Sequence, residues 1–326
     1  MPITRRALLG TGAAGLAAHP FLAAFAQADW PTRPVRLVSP YGAGGASDAS
    51  ARILGEYLTK QLGQQFLVEN KPGAGTRIAN ESVARAAADG YTVLYAAAPY
   101  ATAEALAGKL SYDPRKDLLP VAKAVIAPIF LIVNARAPYK TLQEFIAWGK
   151  TRPGGVNFGS PGAGSQPHLA AELLLRDSGV KGLNIHFRGD AGAYNELLAG
   201  RIDATLTAIS TALPHIQAGT LRVLGVASAS RSTIYPQTPT ISEQGFPHVV
   251  ASGWYGFMVP QGTPRLVVDK LQAEILHALG DADVRQKLIA RGLEADPGNA
   301  ADFGKFIEDE SNKWGDVIRK AGIKDE

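Results

Sequence analysis

Two stretches of the chain combine small residues with polar ones in a spacing suited to holding an anion. The first is Ser39-Pro40-Tyr41-Gly42-Ala43-Gly44-Gly45-Ala46-Ser47-Asp48, and the second is Ser160-Pro161-Gly162-Ala163-Gly164-Ser165-Gln166-Pro167-His168. Each follows a strand-like apolar run and precedes an amphipathic helical pattern. Glycine lets backbone come close to a ligand. The first-turn N–H groups of the following helix have no partner inside that helix, and they carry the positive end of its dipole. Such a place favours a carboxylate or a phosphate. One loop of this kind is also what an ordinary strand-to-helix turn looks like. Two at matching positions suggest two jaws closing on one negatively charged guest.

Other residues could add walls to that site. Asp48 either caps its helix, the commoner role, or meets an ammonium or hydroxyl of the ligand. Arg188-Gly189-Asp190-Ala191 opens another helix, and Arg188 is either a bidentate carboxylate partner or a surface charge. The loop Ala97-Ala98-Pro99-Tyr100-Ala101 is a fourth candidate. Tyr41 and Tyr100 are placed to cover a ligand or to sit half-buried.

Three rival chemistries are weaker. Gly42-x-Gly44-x-x-Ser47 after a strand, with Glu69 ending the next one, partly mimics a dinucleotide-binding turn. Its third glycine is Ser47, however, and Asp48 would oppose a pyrophosphate. Gly159-Ser160-Pro161-Gly162 is not the Gly-x-Ser-x-Gly elbow of a serine hydrolase. The six histidines are scattered, with no ligand-like spacing for a metal. No cofactor is expected.

The elements that must position these loops alternate. Val35–Val38, Phe66–Val68 and Tyr91–Ala96 read as strands. Between the first two lies a helix, residues 47–62, with Ile53, Leu54, Tyr57, Leu58 and Leu62 on one face, closed by Gly63. A second βα unit follows: strands at Ile129–Val133, Val156–Phe158, Ile185–Phe187, Ala204–Ala208 and Leu221–Ala227, with helices between them. Ser252–Val259 reads as a returning strand, and the C-terminus is helical, with Trp314 on a core face. The βαβαβ order implies α/β sheets with right-handed parallel crossovers. If the tail returns to the first unit, the chain crosses between domains twice, which makes a hinge around a cleft.

With 326 residues, 46% hydrophobic and 19% charged, the chain has material for two cores. Zero cysteines exclude disulfides and thiolate metal sites. At the N-terminus, Arg5-Arg6 precede the apolar stretch Ala7–Ala26, and Ala26-Gln27-Ala28 offers small residues for a peptidase. Residues 1–28 are therefore expected to be an export signal, with an arginine pair like that of the twin-arginine route. Its removal leaves 31 basic and 29 acidic residues, a balance that argues against a nucleic-acid partner.

Taken in order, several short motifs resemble one family. They are Val38-Ser39-Pro40-Tyr41-Gly42-Ala43-Gly44-Gly45-Ala46-Ser47-Asp48, Val68-Glu69-Asn70-Lys71-Pro72-Gly73-Ala74-Gly75 and Ala88-Asp89-Gly90-Tyr91-Thr92. Gly159–Ser165 with His168-Leu169-Ala170, Gly200-Arg201-Ile202-Asp203, Leu213–Gly219 and Trp254-Tyr255-Gly256 fit as well. Together they resemble the Bug-type receptors, the substrate-binding proteins of tripartite tricarboxylate transporters, across nearly the whole mature chain.

The resemblance implies an α/β, two-domain periplasmic-binding-protein fold (type II, Venus flytrap) with a hinge of two crossovers. One domain would hold residues 29–130 plus 246–326, the other 131–245. It implies a non-enzymatic, monomeric receptor in the periplasm, which binds a small-molecule carboxylate and meets integral-membrane transporter subunits or, alternatively, a signalling partner. Carried over by position, the ligand residues would be Tyr41, Gly44, Gly45, Ala46 and Asp48, then Ser160, Gly162, Ala163, Gly164, Ser165 and His168. Gly189, Asp190 and Asp203 are further candidates. The chain departs from the family pattern at Ala43, at Thr76-Arg77-Ile78-Ala79, and at Phe187-Arg188-Gly189-Asp190. The extra negative charge of Asp190 bears on which ligand is chosen.

Overall fold

The computed structural model describes residues 30–162, 164–187, 190–210 and 212–324, with the backbone alone at residue 190. The expected export signal, Ala163, Arg188, Gly189 and the side chain of Asp190 lie outside the described residues.

The first lobe starts with β1 (Val35–Ser39), α1 (Ala46–Leu62), β2 (Phe66–Asn70), α2 (Arg77–Ala84) and β3 (Thr92–Ala97). β1 lies between β2 and β3 and is parallel to both, as the alternating pattern implied. Residues 97–101, read as a loop, instead lead directly into α3 (Pro99–Ala107). Pro99 stands in its first turn, where the missing N–H costs nothing.

β4 (Leu118–Asn134) then runs through both lobes. Its residues from Leu118 to Pro128 pair antiparallel with β9 (Ser252–Pro260). Its residues Ile129 to Val133 pair antiparallel with β7 (Ala204–Ala208). The sequence showed only the second part as a strand. Pro120 and Pro128 interrupt the earlier part, and register shifts between Pro120 and Ala122 and between Lys123 and Val125 absorb the irregularity.

The second lobe adds α4 (Leu142–Thr151), β5 (Val156–Ser160), α5 (Gln166–Ser178), β6 (Gly182–His186), α6 (Asp190–Leu198), α7 (Leu213–Gln217) and β8 (Leu221–Val226). β5 is parallel to β6 and β7. The chain returns through β9 to α8 (Arg265–Gly280), α9 (Ala282–Ile289), β10 (Glu294–Gly298) and α10 (Ala300–Ala321). The chain thus passes from the first lobe to the second in β4 and returns to the first at β9.

Each lobe is a sheet covered on both faces, which is why its strands are nearly continuous apolar runs. Along β4 the alternation is explicit. Ile129, Leu131 and Val133 enter one core with Phe145, Phe158 and Leu169, while Phe130 and Ile132 enter the opposite one with Tyr194 and Leu197. In the first lobe Val93 and Tyr95 face one core, and Leu94 and Ala96 face the other. Fully buried side chains such as Leu54 and Leu58 each contribute about 1.5–3 kcal/mol by leaving water.

α10 spans both lobes. Phe303, Phe306 and Ile307 pack on the first, and Trp314, Val317 and Ile318 join the core of the second. Trp314 is fully buried, and its Nε1–H donates to Glu310 at 2.7 Å.

Candidate functional site

The first glycine-rich loop is held at several points. At its start, the Lys71 N–H donates to Ser39 O at 2.8 Å. Asn70, at the end of β2, donates to the carbonyl of Tyr41 at 2.9 Å. Below it, the hydroxyls of Ser39 and Ser47 meet at 2.9 Å in the buried interior. At its end, the Gly44 N–H donates to the Asp48 carboxylate at 3.0 Å, and Arg52 donates to the same carboxylate at 3.1 Å. Gly44 has φ +87°, a conformation an L side chain resists. Arg52, more than any other partner, holds the Asp48 carboxyl below the usual carboxylate range.

The second loop repeats the plan with other residues. Ser165 is the N-cap of α5. Its hydroxyl donates to Gly162 O at 2.7 Å and accepts the His168 N–H at 3.4 Å. The Gly164 N–H donates to His168 Nδ1 at 2.9 Å. Nδ1 must therefore carry a lone pair, which assigns the ring proton to Nε2. Nε2 lies 3.7 Å from Glu172, whose carboxylate also receives Asn184. His168, ahead of Asn184, keeps the Glu172 carboxyl below its usual range. Ser160, wholly buried, bonds His186 Nδ1 at 2.7 Å, and the two imidazoles lie 4.5 Å apart.

The lobes enclose a cleft of about 310 Å³ between these loops. Tyr41 lines it from the first loop, and Pro161, Ser165, Gln166 and Pro167 line it from the second. Ala97, Ala98 and Pro99 add the end of β3 and the start of α3, and Thr207 and Ala208 add the end of β7. The floor comes from the connections: Ala127 and Ile129 of β4, with Gly253, Trp254 and Tyr255 of β9. The cleft thus sits beyond the carboxyl ends of β1, β3, β5 and β7, the usual ligand position in an α/β fold. Helices α3 and α5, one from each lobe, begin on it.

No Asp, Glu, Lys, Arg or His is among its described lining residues. What the described lining offers an anion is therefore backbone N–H groups and helix termini rather than an ion pair. In the two helices that begin on the cleft, the first N–H accepted by a backbone carbonyl is that of Ala101 in α3 and that of Leu169 in α5; Pro99 has no N–H, and that of His168 is taken by the Ser165 hydroxyl. Pro167 has no N–H, which thins the amide display of α5. Tyr41 keeps 38% of its surface accessible. Desolvation pushes its phenol up to about 12.

Of the residues expected at the site, Tyr41 and Ser165 line the cleft. Gly44, Gly45 and Ala46 form the joint into α1 without lining it, and Gly162 holds the turn of the second loop. Asp48, Ser160, Gly164 and His168 are buried behind the loops and shape them. Asp203 lies elsewhere, at the opposite end of β7. Its carboxylate accepts the Asn157 N–H at 2.8 Å, and its carbonyl accepts Tyr139. Tyr100 does not cover the cleft: it is buried in the first lobe and donates to the carbonyl of Pro114. Gln166, Thr207, Trp254 and Tyr255 were not foreseen as lining residues.

The rival chemistries find no geometry. The Gly44 N–H that would meet a pyrophosphate is already bonded to Asp48, and Glu69 pairs with Arg36 and Lys71. Ser160, with no accessible surface, cannot reach a substrate carbonyl. Among the described residues no cluster of three or more His, Asp or Glu could hold a metal ion.

Comparison with known proteins gives a consistent result. A model of the tripartite tricarboxylate transporter family receptor matches residues 50–323. Protein BugT of Bordetella pertussis is 36% identical over 306 residues, 93% of this chain and 94% of that protein. The structure of R. palustris Rpa4515 with adipate is 31% identical and superposes with a TM-score of 0.78, covering 90% of this chain and 99% of that one. MatC from Rhodopseudomonas palustris with bound malate is 32% identical at a TM-score of 0.73, covering 89% and 100%.

Proposed function

Because the chain belongs to the tripartite tricarboxylate transporter family of receptors, as a Bug-type solute-binding protein rather than an enzyme, we propose that it captures a small carboxylate in the cleft between its lobes. One observation carries this reading: the starts of α3 and α5, from opposite lobes, meet at one cleft whose described lining residues include no ionised side chain. Positive helix ends without a competing carboxylate favour an anion. The neighbours bound to adipate and malate make a carboxylate the natural guest.

The mechanism is closure. A guest held by both loops has its full set of contacts only when the lobes are together, so it shifts an open–closed equilibrium toward closed. β4 and β9 are the strands about which the lobes turn, and the assignment of residues 29–130 plus 246–326 to one domain and 131–245 to the other is part of this reading. The closed shape is what integral-membrane transporter subunits would recognise. The receptor would work as a monomer in the periplasm, after export directed by residues 1–28 with its twin arginines. Among the described residues no helix is long and apolar enough to cross a membrane.

Thermal-shift screening of the chain without residues 1–28 against carboxylates and their methyl esters tests the reading. Carboxylates should raise the melting temperature by mass action on the folded state. A library in which neutral esters stabilise and free acids do not would overturn it.

A further inference from the structure

The cleft is walled mainly by small and apolar groups, Ala97, Pro99, Ala127, Ile129, Pro161 and Pro167 among them. Against that background one polar side chain is conspicuous. Gln166 is only 6% exposed, and neither its Nε2 nor its Oε1 has a hydrogen-bond partner. It lines the cleft from the first position of α5. A buried carboxamide unpaired at both ends is unfavourable, and an apolar residue of the same size would fill the position at no such cost. The hydroxyl of Ser165, the nearest polar group in sequence, is already bonded to Gly162 and His168.

We propose that Gln166 selects the ligand. On this account the guest is a carboxylate with an apolar body and a second, uncharged polar group, a hydroxyl or a carboxamide, that docks on Gln166. The inference rests on the carboxylate reading above and narrows it. Oε1 needs a donor, and an ionised second carboxylate offers only acceptors. Among the described lining residues there is no cation to balance a second negative charge. A hydroxyl or carboxamide supplies donor and acceptor together.

Calorimetric titration with two matched sets tests this: butyrate, succinate and succinamate, then 4-methylbenzoate, terephthalate and 4-carbamoylbenzoate. The carboxamide member of at least one set should bind about tenfold or more tighter than its methyl and dicarboxylate counterparts, as a site built for hydrogen bonds rejects analogues lacking them. Gln166→Leu should abolish that preference and leave the melting temperature of the empty protein equal or higher. Gln166→Met, close in shape, serves the same purpose if the leucine variant does not fold. A preference that survives both variants, a wild-type preference for the dicarboxylate, or equal binding within each set would overturn the role of Gln166 while leaving the carboxylate reading intact. Failure of every member of both sets to bind wild-type protein would instead strike the carboxylate reading, and this inference with it.

Discussion

Asp48 and His168 do the same work in opposite lobes. Each is the third residue of its helix, and each accepts the N–H of a glycine four positions earlier: Gly44 at 3.0 Å and Gly164 at 2.9 Å. The arrangement is a variant of the capping box, in which a side chain at the third helical position reaches back to a backbone N–H at the helix start. It fixes the direction in which each glycine loop leaves its helix, and so the shape of the two jaws.

Removing one brace should loosen one jaw. Asp48→Ala leaves the Gly44 N–H without its partner and Arg52 without its ion pair, at an expected cost of about 1–3 kcal/mol in urea unfolding. Ligand affinity should fall in the same variant, while Asp48→Asn, which keeps an acceptor, should lose less of both. Equal stability of Asp48→Ala and wild type would count against the brace.

The same carboxylate predicts a pH dependence. Its folded-state pKa is depressed, chiefly by Arg52, so its stabilisation is fully present above the ordinary carboxylate pKa and is lost as pH falls through the lower folded value. Glu172, held low first by His168, acts in the same direction. Urea midpoints of wild type and Asp48→Asn should therefore differ at pH 7 and converge as the pH is lowered through the acid range below the usual aspartate value. A gap that widened on acidification would contradict the assignment.

Gly164 marks where the lobes touch. A Cβ there would lie 2.8 Å from Leu106 Cδ1 of α3, in the other lobe, and the residue has φ +67°. Gly164→Val should weaken ligand binding through both strain and collision, with backbone strain alone on the order of 1–2 kcal/mol. Adding Leu106→Ala should recover the part due to collision and leave the part due to φ. A double variant no better than the single one would remove Leu106 from the contact.

Trp314 ties the last helix to the second lobe. Trp314→Ala empties a fully buried site and strips Glu310 of a hydrogen bond, so a loss of about 3–5 kcal/mol is expected by chemical denaturation. A loss below 1 kcal/mol would mean that the helix end is not seated as described.

The sequence made part of this visible. The glycine loops, the parallel βαβ order and the returning strand all follow from local signals: apolar periodicity, and Gly and Ser between strand and helix. The continuity of β4 was hidden because Pro120 and Pro128 read as strand breakers, whereas register shifts accommodate the irregular stretch. The bracing by Asp48 and His168 was hidden because a polar residue in a first helical turn looks alike whether it caps, binds or faces water. Gln166 was passed over for a related reason. Only its burial, with both polar atoms unpaired, sets it apart from a surface glutamine. Asp203 was drawn to the site by position in a family motif, yet it secures the far end of β7.

The most direct test of the central claim is a calorimetric comparison of one bound carboxylate with its own methyl ester on the wild-type receptor. If amide groups at two helix starts hold a negative charge, the ester should bind at least about tenfold more weakly. An ester that binds as tightly as the acid would contradict the account.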